Sequence, residues 1–127
     1  MVCVLILFAS IFSALNVSGE GMIEKYTSDV ISVANFAMNF HNRKSSYPYA
    51  FKVVDIISDT TQLYPPARVK HMLQIQAEQT VCENQASVNL THCALQSNAE
   101  NMTCSFTVLA VPGNDYIPKR MLSDHCA

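Results

Sequence analysis

Four cysteines in the second half of the chain are the residues best suited to chemistry, and that chemistry is disulfide formation. They stand at Cys82, Cys93, Cys104 and Cys126. Four cysteines allow three pairings, and pairing in chain order closes two short loops, each worth roughly 2–4 kcal/mol. The alternatives are a metal site and four reduced thiols in the core. A zinc site usually contains a short Cys-x-x-Cys pair, which this stretch lacks, so the spacing favours disulfides and leaves their pairing open.

The remaining reactive residue types indicate no catalytic centre. No Ser-His-Asp, Cys-His or paired-carboxylate arrangement can be assembled from the motifs present. If all four cysteines are bonded, no thiol nucleophile is left. The histidines are scattered and lack the spacing of metal ligands: His41, His71, His92 and His125. We therefore expect a protein that is not an enzyme and that has neither a metal site nor another cofactor.

The first 19 residues differ from the rest of the chain. Residues 1–19 carry no charge and are mostly apolar, at a length that fits a secretory signal peptide. An uncleaved anchor would need about 20 apolar residues, and Asn16 and Ser18 interrupt the run. We predict cleavage near Glu20. Cys3 then leaves with the signal, which makes the cysteine count even and places the other four where disulfides persist.

Two glycosylation motifs favour the same extracellular location. They are Asn89-Leu-Thr91 and Asn101-Met-Thr103, and both lie in a polar stretch between strand-like segments. A glycan attached there would extend into solvent.

Composition indicates a single small domain over residues 20–127. The chain has 127 residues, half of them apolar, and its ten acidic and eight basic residues are dispersed. A net charge of −2 gives no electrostatic reason to expect nucleic acid or a membrane as a partner. We expect a secreted monomer.

Hydrophobic periodicity predicts which elements carry the cysteines. Thr27, Ser28 or Asp29 can cap a helix that ends before Pro48, with Asn42 on its polar side or at its end. Its predicted buried face is Val30, Val33, Ala34, Ala37, Met38 and His41.

Strands follow the helix. The predicted strands are Ala50 to Ile57, an alternating segment from Val69 to Ala77, Cys104 to Val111, and Tyr116 to Cys126. The two prolines in Asp59 to Pro66 exclude a central strand there. One helix followed by hairpin-linked strands predicts an α+β domain, with an antiparallel sheet of about four to five strands wrapped around one long helix.

The chain resembles the secreted, disulfide-bonded type 2 cystatins. The resemblance rests on Cys104-Ser-Phe-x-Val-x-Ala-Val-Pro112, on the two cysteine pairs, and on Val33-Ala-x-Phe-Ala37 followed by Phe40-His-Asn42. We predict that Cys82 pairs with Cys93 and that Cys104 pairs with Cys126. Similarity to this family also implies inhibition of papain-like cysteine proteases.

The resemblance implies a three-part inhibitory wedge. Its parts are an N-terminal glycine, a Gln-x-Val-x-Gly hairpin loop and a Pro-Trp second loop, which together fill a protease cleft without offering a cleavable bond. The matching positions here are Gly21, Gln62, Leu63, Tyr64, Pro65, Pro66, Val111, Pro112 and Gly113. The first loop has no glycine, and Gly113 stands where tryptophan is expected, so weaker inhibition is predicted.

Two functions follow from these observations. One is a secreted inhibitor that inserts both loops into the active-site cleft of a papain-like cysteine protease. The other is a non-inhibitory secreted binding protein that reuses the same scaffold.

Overall fold

The computed structural model describes residues 26–114 and 116–127. Within these ranges the elements are α1 (Ser28–Lys44), β1 (Tyr49–Tyr64), β2 (Arg68–Glu83), β3 (Asn101–Ala110) and β4 (Arg120–Cys126), with a 3-10 turn at Leu90–His92. The predicted signal peptide, residues 1–19, and the predicted site residue Gly21 lie outside the described residues.

The four strands form one antiparallel sheet in the order β1-β2-β3-β4. Each strand therefore pairs with its neighbour in the sequence, as the hairpin-length connections predict. The helix packs its apolar side onto this sheet. The prediction of an α+β domain with one helix against an antiparallel sheet is confirmed.

The helix begins where the sequence offers a cap and buries the predicted apolar face. Thr27 is the N-cap, and its hydroxyl accepts a hydrogen bond from the amide of Val30 at 3.4 Å. Val33, Ala34 and Ala37 are at most 1% exposed and lie in the core beneath the sheet. Burying a side chain such as that of Val33 contributes roughly 1.5–3 kcal/mol, and the smaller alanines contribute less.

Asn42 is buried, although the sequence placed it on the polar side of the helix or at its end. The side chain is 1% exposed, because it lies on the buried face one turn after Met38. Its amide donates to the carbonyl of Phe51 at 2.8 Å, and its side-chain oxygen accepts from the amide of Phe51 at 3.1 Å. The carbonyl of Asn42 also accepts from the Asn84 side chain at 2.8 Å. Asn42 thus ties the end of α1 to the start of β1.

A second tie joins the helix to β4. The carboxylate of Asp124 accepts from Lys44 at 2.8 Å and lies 2.7 Å from Nδ1 of His41, whose Nε2 lies 2.9 Å from the Tyr47 hydroxyl. Burial alone would raise the pKa of Asp124, but the hydrogen bonds and charges of Lys44 and His41 more than offset it and hold that pKa below its usual value. Burial and the nearby carboxylates of Glu100 and Asp124 raise the pKa of Tyr47, which keeps its hydroxyl protonated.

Buried and more exposed side chains alternate along β2 until a local irregularity interrupts the pattern. His71, Leu73, Ile75 and Ala77 face the core, as predicted, but the next buried residue is Thr80. Pairing with β1 shifts in this region, from Phe51 opposite Gln79 to Tyr49 opposite Glu83. Across this shift β2 contains two more residues than β1, and Thr80 points inward, where its hydroxyl donates to the carbonyl of Ala50 at 2.7 Å.

The boundaries of all four strands differ from the prediction, and β2 runs from Arg68 to Glu83, well past the predicted end at Ala77. β1 continues through Asp59 to Tyr64, because an edge strand tolerates this sequence until the two prolines end it. β3 begins earlier, at Asn101, and ends at Ala110. β4 begins only at Arg120, so Tyr116 belongs to the preceding loop and not to the last strand.

Candidate functional site

Two loops meet at one end of the sheet, and we call this end the loop edge. It consists of the β1–β2 hairpin tip, residues 62–67, and the β3–β4 loop, residues 111–119. The antiparallel order places both at the same end, since β1 and β3 finish there while β2 and β4 start there. The predicted binding residues of both loops therefore lie together on the loop edge.

The two loops are in direct proximity. A shallow cavity of about 270 Å³ is lined by Leu63, Tyr64, Pro65, Pro66 and neighbouring hairpin residues, and by Pro112 from the second loop. The pairing of Val69 with Ala110 brings the hairpin beside the end of β3. The sequence-predicted loop residues thus form a continuous surface.

The hairpin tip presents apolar side chains to solvent. Tyr64 pairs with Arg68, which leaves Pro65, Pro66 and Ala67 to form the turn, and the Pro65–Pro66 peptide bond is cis. Leu63 is 81% exposed and Tyr64 is 49% exposed. Side chains this exposed contribute little to the core, so their apolar area is available to a partner.

A tight turn shapes the start of the second loop. The amide of Asn114 donates to the carbonyl of Val111 at 3.2 Å, with Pro112 and Gly113 between them. Gly113 has φ of 70°, in the left-handed region. Proline followed by a residue of positive φ is the pattern of a type II turn, which explains glycine at this position.

The first turns of the helix and a buried ionisable pair lie next to the loop edge. A cavity of about 210 Å³ separates the first turns of α1, including Val30 and Val33, from Val111 and Pro112. Behind the hairpin, Nδ1 of His71 lies 3.2 Å from the carboxylate of Asp59, and both side chains are at least nine-tenths buried. This contact links β1 to β2 and stiffens the hairpin close to its tip.

The disulfides and Asn101 lie toward the other end of the sheet, whereas Asn89 lies beside the middle of β1, where the neighbouring Leu90 and Thr91 line a cavity with Val53 and Ile56. The structure joins Cys82 to Cys93 and Cys104 to Cys126, the pairing in chain order. Asn89 is exposed beside the 3-10 turn, where its side chain accepts from the amide of Thr91 at 3.2 Å. Asn101 is exposed at the first position of β3, opposite Glu78. Asn101 therefore lies away from the loop edge.

Comparison with known proteins identifies the family. The family model described as the cystatin domain matches residues 18–113. The chain belongs to the cystatin family. The match covers the helix, β1, β2, β3 and the hairpin tip, and it ends at Gly113, within the first turn of the second loop.

Curated cystatins align with most of the chain. It is 30% identical over 124 residues to Cystatin-2 of Crotalus adamanteus, an alignment that covers 92% of this chain and 89% of the relative. It is 32% identical over 94 residues to Cystatin of Gallus gallus, covering 72% of this chain and 64% of that protein.

A solved cystatin structure has the same fold. The crystal structure of dimeric human cystatin F superposes with a TM-score of 0.72 over 83% of this chain and 82% of that chain. Sequence identity is 20%, so this match establishes the cystatin fold and no more.

The structure adds one residue to the loop edge that the sequence analysis missed. Tyr116, assigned there to the last strand, lies in the β3–β4 loop and is 98% exposed. The turn residues that precede it were the available signal, because a turn at Pro112 and Gly113 delays the start of β4. In the described part of the cystatin domain, no three His, Cys, Asp or Glu residues are grouped as metal ligands. No helix there is long and apolar enough to cross a membrane.

Proposed function

We propose that this chain is a secreted type 2 cystatin that inhibits papain-like cysteine proteases by inserting its loop edge into their active-site cleft. The observation that carries this proposal is the convergence of the hairpin tip and Pro112 on one surface. Family membership supports an inhibitor, and cystatins are inhibitors rather than enzymes.

The shape and polarity of the loop edge fit a protease cleft. Two strands of 16 residues each carry the hairpin tip, so it projects from a rigid scaffold. Leu63 and Tyr64 provide apolar area, and the buried contact between His71 and Asp59 limits bending of the hairpin. A preorganised apolar surface binds with a smaller loss of conformational entropy than a flexible loop does.

Two departures from the family motifs determine how strong we expect the inhibition to be: the hairpin tip lacks glycine, and Gly113 replaces tryptophan. A tip without glycine keeps its backbone farther from the floor of a cleft, because every residue there carries a Cβ atom. Gly113 contributes no aromatic area. Loss of a buried aromatic anchor typically costs about 2 kcal/mol or more, or about thirtyfold in affinity. We therefore expect weaker inhibition than a chain with both motifs would give.

A direct assay tests the proposal. The inhibition constant of the purified protein for papain is measured with a peptide substrate, together with the variants Leu63→Ala and Leu95→Ala. Burying Leu63 in the cleft is worth roughly 1.5–3 kcal/mol, so its removal should raise the inhibition constant about tenfold or more. Leu95 is an exposed leucine at the opposite end of the sheet, and its replacement should change little. Absence of inhibition by the parent, or equal effects of both variants, would refute the proposal.

Secretion and modification form part of the same proposal. Residues 1–19 act as a signal peptide, residues 20–127 form the mature domain, and Asn89 and Asn101 carry N-linked glycans. Both asparagines and the threonines of their motifs are exposed, which is required for glycan attachment. Expression in a eukaryotic host should yield a protein in the medium that starts near Glu20 and loses mass on treatment with an N-glycosidase. Retention of the full-length chain in the cell would contradict this.

A further inference from the structure

Tyr116 is the most solvent-exposed large apolar side chain among the described residues. Two such side chains exceed four-fifths exposure, Tyr116 at 98% and Leu63 at 81%, whereas Val81, the next, is 55% exposed. Tyr116 and Leu63 are 53 positions apart in the sequence, yet they belong to the two loops of the loop edge. Extreme exposure is thus concentrated at one end of the molecule.

Both ends of the loop that carries Tyr116 lie close to the hairpin. Pro112, near its start, lines a cavity together with the hairpin tip. Lys119, at its end, lines a second cavity with Thr61 and Val69 of the hairpin strands. Tyr116 lies between these two points, so its loop belongs to the same edge of the sheet as the hairpin tip.

Two hydrogen bonds, one between backbone groups and one to a side chain, fix the backbone from which Tyr116 projects. The turn at Gly113 is closed by the bond from Asn114 to Val111, and the side-chain oxygen of Asn114 then accepts from the amide of Tyr116 at 3.0 Å. An asparagine that bonds the backbone two residues later forms an Asx-turn. The loop therefore fixes the backbone at Tyr116 while leaving its ring in solvent.

We propose that Tyr116 is the aromatic anchor of the second loop, and that with Leu63 it determines which protease clefts this chain fits. The inference rests on the proposed function and extends it to a residue outside the family motifs. A tyrosine ring buries about 150–250 Å² when it enters a pocket, and it has only two side-chain torsions to restrict. The partner is a cleft with an apolar wall beside the subsite filled by Leu63.

The experiment compares Tyr116→Ala and Tyr116→Phe with Tyr49→Ala as a matched control. Tyr49 is a partly exposed tyrosine that begins β1, at the end of the sheet opposite the loop edge. Inhibition constants for papain are measured for all four proteins, along with dissociation rates from catalytically blocked papain and melting temperatures.

Tyr116→Ala should raise the inhibition constant about ten- to thirtyfold, chiefly through faster dissociation. Tyr116→Phe, which keeps the ring, and Tyr49→Ala should each change it less than about threefold. The melting temperature of Tyr116→Ala should match that of the parent, because the side chain packs against little.

The outcomes distinguish a failure of the proposed function from a failure of the anchor role of Tyr116. A parent that does not inhibit would overturn the proposed function and the role of Tyr116 with it. An inhibitory parent whose Tyr116→Ala variant is equally potent would overturn the anchor role alone. A clear fall in the melting temperature of Tyr116→Ala would show a structural role and would also overturn the anchor role.

Discussion

Replacing Asn42 with alanine should destabilise the protein far more than its amino-acid type suggests. The substitution removes both partners of Phe51, whose backbone amide and carbonyl are hydrogen-bonded to the Asn42 side chain at 3.1 and 2.8 Å. Phe51 is 3% exposed, so water has poor access to the two groups left unpaired. Each buried unpaired group costs about 1–3 kcal/mol. The higher helix propensity of alanine offsets up to about 0.7 kcal/mol of this loss in unfolding free energy.

The expected net loss is therefore about 2–5 kcal/mol, against a total stability of about 5–15 kcal/mol for a domain of this size. Urea unfolding of the disulfide-intact protein, followed by circular dichroism, measures this difference. Asn35→Ala is the matched control, because Asn35 is an exposed asparagine of the same helix and the substitution brings the same gain in propensity. Hydrogen exchange at the Phe51 amide provides a local readout, since its protection depends on Asn42.

The reasoning fails if Asn42→Ala and Asn35→Ala have free energies of unfolding within about 0.5 kcal/mol of each other, the range of ordinary surface substitutions. It also fails if the Phe51 amide stays protected in Asn42→Ala. Either result would show that the buried amide side chain adds packing but no specific hydrogen bonding.

Four further predictions concern stability. Ala37→Asp places a charge at a 0% exposed core position and should cost well over 2 kcal/mol in urea unfolding. The pKa of Asp124 in the folded protein is below the ordinary 3.8. Its contribution to stability is therefore present above pH 3.8 and is lost as the pH falls below that value. The difference in unfolding free energy between the parent and Asp124→Asn should shrink from pH 6 to pH 3. Replacing Cys104 and Cys126 together with alanine should cost about 3–4 kcal/mol, because their bridge spans 22 positions, and an unchanged melting temperature would contradict this. Gly113→Ala should cost about 1–2 kcal/mol through φ of 70° although nothing lies within 4 Å of the new Cβ, and full stability would rule out the type II turn.

Periodicity in the sequence predicted the helix and the sheet, because burial repeats with the geometry of each element. Val33, Ala34 and Ala37 recur at helical spacing, and His71 to Ala77 alternate as a strand does. Asn42 falls on the same helical spacing, one turn after Met38. Its polar type pointed to the surface, and only the positions of the Phe51 amide and carbonyl reveal the reason for its burial. The contact between His41 and Asp124 likewise joins residues 83 positions apart, which no local pattern could indicate.

The candidate site was predictable in part. The resemblance located the two loops, and the structure brings Leu63 and Pro112 to one surface. The sequence could not show that β1 extends to Tyr64, because strand length at an edge depends on pairing with β2. It also missed Tyr116, since a strand-forming residue type looks the same in a strand and in an exposed loop.

The length of the β1–β2 hairpin separates the loop edge from the far end of the sheet. Each of its strands has 16 residues, and at about 3.2–3.4 Å per residue the hairpin spans about 50 Å. A partner that buries about 800 Å² on this chain covers a patch roughly 30 Å across. An enzyme seated on the hairpin tip would therefore leave the end that bears Asn101 uncovered, so that a glycan attached there, as proposed above, would stay accessible while the enzyme is bound.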